Sequence, residues 1–91
     1  SSLGDKISAK TSLNRALTLE SKNSFALSEM IEILLSEKSF EQALANTQNL
    51  VKFYPNSISA KLLLAKVLAE SGNIDETFKI IDSLDNQNPP V

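Results

Sequence analysis

Chemistry in this chain would have to run on carboxylates. Glu29 and Glu32 stand three positions apart, as do Asp82 and Asp85, so each pair shares one turn of a helical segment. Such pairs do acid/base work when one member is desolvated beside a substrate pocket. The sequence has no Cys, no His and no Trp. That removes thiolate nucleophiles, imidazole bases, disulfides and the usual zinc ligands together. Two glycines do not make a glycine-rich phosphate loop. The lone Tyr54 precedes Pro55 and reads as a packing residue at a helix end. Carboxylates on a helix are ordinarily just its solvated face. The expectation is a non-enzymatic protein with no cofactor and no metal.

Charge and composition narrow the partners. The net charge is −2 and the pI about 5.0, which supplies no basic field for a phosphate backbone, so no nucleic-acid partner is expected. No run approaches the roughly 20 apolar residues of a membrane span, and the N-terminus lacks a basic-then-apolar leader. No membrane insertion is therefore expected, and the expected compartment is the cytoplasm or a bacterial periplasm. At 91 residues with 42% hydrophobic content, the chain is one small packed domain.

Apolar spacing predicts five helices, at about 5–20, 24–37, 39–54, 57–71 and 73–86. Gly4 and Asp5 read as a boundary and N-cap for the first. Asn23 or Ser24 caps the second, whose broad apolar set (Ala26, Leu27, Met30, Ile31, Ile33, Leu34, Leu35) implies packing on two sides. Ser39 and Gln42 have the spacing of a capping box, as do Asn73 and Glu76. Pro55 stops the third helix at Tyr54, and Gly72 is a left-handed stop for the fourth. No segment alternates with period two, so no strand is expected. The fold class is all-α, with short connections that force antiparallel neighbours.

One offset relates the parts. Advancing the chain by about 34 residues, the length of a common helical repeat, superposes Gly4, Lys38 and Gly72, then Asp5, Ser39 and Asn73. The same shift aligns Ala9, Ala43 and Thr77, then Leu13, Thr47 and Ile81, then Ala16, Leu50 and Leu84, and finally Ser21, Pro55 and Pro89. Met30, Ile31 and Leu34 fall on Leu64, Ala65 and Leu68.

This pattern resembles the tetratricopeptide repeat, a helix–turn–helix unit of that period. The resemblance divides the chain into a half repeat at 4–23, a repeat at 24–57, and a repeat with its tail at 58–91. Where the family carries Trp, Leu-Gly and Tyr, this chain has Leu27, Met30-Ile31 and Leu34, then Lys61, Leu64-Ala65 and Leu68. The second helix's Ala, aromatic and Pro appear as Ala43, Thr47 and Pro55, then as Thr77, Ile81 and Pro89. The repeat is degenerate. It implies an α-α superhelix acting as a scaffold that binds a peptide or partner protein in a concave groove lined by the first helix of each repeat.

Carried onto this chain, the groove residues are Phe25, Ser28, Glu29, Glu32 and Ser36 on the second helix, and Ser59, Leu62, Leu63, Lys66 and Glu70 on the fourth. Leu62 and Leu63 are in excess of the packing need, which Leu64 alone should meet. Burying a leucine is worth roughly 1.5–3 kcal/mol, so two exposed ones suggest a contact surface. The Lys and Asn clamp with which some family members hold a carboxylate terminus is missing, and Glu29 and Glu32 would repel one. Ile7, Leu17 and Leu19 near the start, and Phe78 and Ile80 near the end, lack an obvious cover. Either the array extends beyond these residues, which is the expectation, or the chain is an assembly module that forms homo-oligomers through its terminal helices.

Overall fold

The computed structural model describes residues 2–87, with side chains from 4 to 85. Five helices follow one another: α1 (Ser2–Leu19), α2 (Ser24–Ser36), α3 (Phe40–Phe53), α4 (Ile58–Glu70) and α5 (Ile74–Gln87). There is no strand among the described residues. Each helix packs chiefly on its neighbours in sequence, α1 on α2, α2 on α3, α3 on α4 and α4 on α5. The architecture is an all-α stack of antiparallel helices, as the periodicity indicates.

The repeat is written in the hydrogen bonds. Asn23 Oδ1 accepts from the Ala26 amide at 3.1 Å, and 34 residues later Ser57 Oγ accepts from the Ala60 amide at 3.1 Å. The ends of α2 and α4 match as closely. Ser39 N–H donates to Leu34 O at 2.8 Å and Lys38 N–H to Leu35 O at 3.0 Å. Their counterparts are Asn73 to Leu68 at 2.8 Å and Gly72 to Ala69 at 3.1 Å. Both ends are Schellman motifs, which need a left-handed residue in the turn. Gly72 fills that position at φ +94°, and Lys38 fills it at φ +59° without being glycine.

Several local expectations fail for identifiable reasons. The helix α1 begins at Ser2, so Gly4 and Asp5 lie inside it rather than at its boundary. Gly4 therefore continues the helix and takes no left-handed turn, unlike Gly72. Ser39 sits at the start of α3 but its hydroxyl makes no capping bond. Its backbone (φ −86°, ψ 67°) lies outside the extended range of the two working caps, whose ψ values are 101° and 114°. Asn73 donates its amide to Ser71 Oγ and Glu76 accepts from Lys79, and neither side chain bonds the other residue's backbone amide. Pro89 lies outside the described residues.

The core runs along α2. Leu27, Met30, Ile31, Leu34 and Leu35 are buried there with Ala43 and Leu50 of α3 and Ala60 and Val67 of α4. Leu13 and Leu17 of α1 close one side, and Phe40, Leu44, Val51 and Phe53 of α3 another. Leu17 is therefore covered by the core, contrary to the expectation from sequence. Thr47 is fully buried among apolar groups, its hydroxyl donating to Ala43 O at 2.6 Å. A small polar side chain is tolerated at this depth because it is satisfied within its own helix.

Candidate functional site: the face shared by α2 and α4

The first helix of each pair sits at equivalent positions, so residues 34 apart share a face. Glu32 and Lys66 are such a pair, and Lys66 Nζ reaches both Glu32 carboxylate oxygens, at 3.1 and 3.0 Å. This hydrogen bond, with the negative charges of Glu32 and Glu70, outweighs the small desolvation and raises the Lys66 pKa above its ordinary 10.5. Lys66 is thus held protonated and already neutralised. A partner carboxylate would have to displace Glu32 to reach it.

Around this bridge the expected residues fall in different surroundings. Phe25, the single aromatic of α2, has 71% of its surface free, and Glu29 is exposed one turn further on. Ser28 and Ser59 come together across a cleft between the pairs, with Ser24, Leu50, Tyr54, Ser57 and Ala60. Leu62 and Leu63 part company. Leu63 packs against the core, whereas Leu62 is 51% exposed and lines a different groove. Leu64 is itself only partly buried, so packing is shared between Leu63 and Leu64 rather than met by Leu64 alone. Ser36 and Glu70 are exposed at the far end of the same helices.

The groove that takes Leu62 lies between α4 and α5. It has a volume of about 450 Å³ and is lined by Ile58, Leu62, Phe78, Ile81 and Leu84, with Asp82 and Asp85. The Asp82 and Asp85 side chains are exposed, and no group of three or more acidic residues suited to a metal occurs among the described residues. Glu29 is solvated and Glu32 is engaged by Lys66. Neither carboxylate pair is buried beside a pocket as acid/base chemistry requires.

Three tertiary contacts do not follow from spacing. Lys10 of α1 forms an ion pair with Glu37 at the end of α2, at 2.8 Å. The Tyr54 hydroxyl donates to the Lys22 carbonyl in the α1–α2 turn, while Lys22 Nζ lies 5.6 Å from the Phe53 ring centre. Tyr54 is exposed rather than packed into the core, and its hydroxyl ties the end of α3 to the turn before α2. The tie joins residues 32 apart, so only the helix crossing brings them together. No helix is long and apolar enough to cross a membrane among the described residues. No protein-family model matches the chain, and neither the curated proteins nor the solved structures contain a significant match to it.

Proposed function

We propose that this chain is a degenerate tetratricopeptide-like scaffold that holds a peptide or partner helix along the α2–α4 face, without catalysis. The observation that carries the reading is the Glu32–Lys66 bridge at the repeat offset, which aligns the first helices of two successive units into one continuous surface. Phe25 provides the exposed apolar anchor of that surface, Ser28 and Ser59 its hydrogen-bonding groups, and Glu29 its free negative charge. Aromatic anchors in a polar rim are where interface energy ordinarily concentrates. Leu63 supports the face from beneath and Leu62 flanks it toward α5.

The test is substitution at the exposed anchor. Phe25→Ser should leave the helical spectrum and melting temperature nearly unchanged and should weaken a selected peptide ligand at least about tenfold. A Phe25→Ser protein that folds normally and binds every selected ligand unchanged would remove the assignment.

A further inference from the structure

We propose that the α4–α5 groove is a second docking surface, for an amphipathic helix of another protein that carries lysine or arginine beside its apolar stripe. The repeat itself supplies the comparison. Thr47 of α3 is fully buried, while its counterpart Ile81 of α5 is 47% exposed. Leu44 of α3 is partly buried against the core, and its counterpart Phe78 is 65% exposed. Ser28 of α2 corresponds to Leu62 of α4, and Leu50 to Leu84.

At Leu62, Phe78 and Ile81 the exposed side chain is larger or more apolar than its less exposed counterpart, Ser28, Leu44 and Thr47 respectively. A face meant only for water would carry the reverse pattern, since an outer repeat face is kept polar for solubility. The groove therefore has the form of a seat for one more helix, placed as α4 is placed on α3.

Charge selects the occupant. Asp82 and Asp85 border the groove where the covered interface has Gln48 and Val51. Across α5 the acidic residues Asp75, Glu76, Asp82 and Asp85 outnumber the single Lys79. A second copy seated by the same face would set two Asp82–Asp85 pairs against each other, and like charges meeting in an interface oppose it. The outer side of α1 is a poor occupant too, since Ile7, Thr11, Arg15 and Thr18 along it make no apolar stripe. A helix with an apolar stripe and flanking cations satisfies both the floor and the rim. This surface lies apart from the α2–α4 face and shares only Leu62 with it, so either can fail alone.

The test uses a labelled helical peptide of about 16–18 residues, long enough to be partly helical alone. It has Leu and Ala at positions i, i+3, i+4 and i+7 and lysines beside them, and a twin has glutamates instead. Fluorescence anisotropy should show the lysine peptide binding at least about tenfold tighter than its twin, with the preference shrinking as salt is raised. Phe78→Ser should abolish binding, and Asp82→Lys/Asp85→Lys should invert the preference. Phe25→Ser should leave both peptides unaffected, which separates this surface from the α2–α4 face. Equal affinity for the two peptides, or no binding, overturns the proposal. So does a concentration-dependent dimer abolished by Phe78→Ser, which gives the groove to a second copy. Loss of peptide binding in a longer form of the chain whose added residues fill the groove gives it to the chain itself.

Discussion

Lys66 Nζ lies 3.0 Å from Glu32 Oε2, and the two residues are 34 positions apart, the length of one structural repeat. Opposite charges at one repeat position turn a sequence period into a physical link between α2 and α4. Replacing Glu32 by glutamine should lower the Lys66 pKa toward its ordinary 10.5, because its largest raising contribution comes from that carboxylate. Side-chain NMR titration of the lysine ε resonances reads this directly. The sign for stability follows from linkage. A raised folded-state pKa contributes stability that is fully present below the unfolded value and is lost as pH rises through the folded value. Between neutral pH and 10 the pair's contribution should be constant, then fall at higher pH. Its size is that of an exposed pair, about 0.2–1 kcal/mol in a double-mutant cycle. A cycle coupling indistinguishable from zero would make the bridge incidental.

Lys38 and Gly72 occupy the same left-handed position, one with a side chain that disfavours it. Lys38→Gly should therefore stabilise the protein by about 0.5–1 kcal/mol, the relief of strain exceeding glycine's extra entropy loss. Gly72→Ala should destabilise by about 1 kcal/mol through backbone conformation alone, since an added Cβ at Gly72 would meet nothing within 4 Å. Urea titration distinguishes the two signs.

Ile31 is completely buried at the centre of the core. Its truncation to alanine should cost about 2–5 kcal/mol. Against the roughly 5–14 kcal/mol total expected for a chain of this length, that is a large fraction. Thr47→Val removes one intrahelical hydroxyl bond and keeps the volume, so it should change stability by less than about 1.5 kcal/mol. Thermal melts of the two variants should differ widely, and similar melts would mean the core is placed wrongly.

Tyr54→Phe deletes only the hydroxyl that donates to Lys22 O. A loss of about 0.5–1.5 kcal/mol is expected, with faster amide exchange concentrated in the 20–23 turn. Unchanged exchange there would show that the bond does not tie the turn.

How much was legible in the sequence depended on the range of the interaction. Asn23, Ser57, Pro55 and Gly72 mark helix ends through local chemistry, and the helices begin or stop beside them. Lys38 shows where residue type misleads: the turn keeps its hydrogen bonds although the glycine is missing. Ser39 fails as a side-chain cap because its ψ, not its identity, decides where the hydroxyl points. The division between Leu62 and Leu63 was out of reach because adjacent helical residues lie about 100° apart, and only the crossing angles decide which one meets the core. The same holds for Lys10–Glu37, which needs α1 and α2 in place before the charges can meet.

The most direct test of the central claim is amide chemical-shift mapping with a peptide selected against the whole chain. A scaffold using the α2–α4 face should show its largest shifts at Phe25, Glu29, Glu32, Ser59 and Lys66, with Asp75 and Phe78 unmoved. Shifts confined to α1 or to the outer side of α3, with α2 and α4 silent, would contradict it.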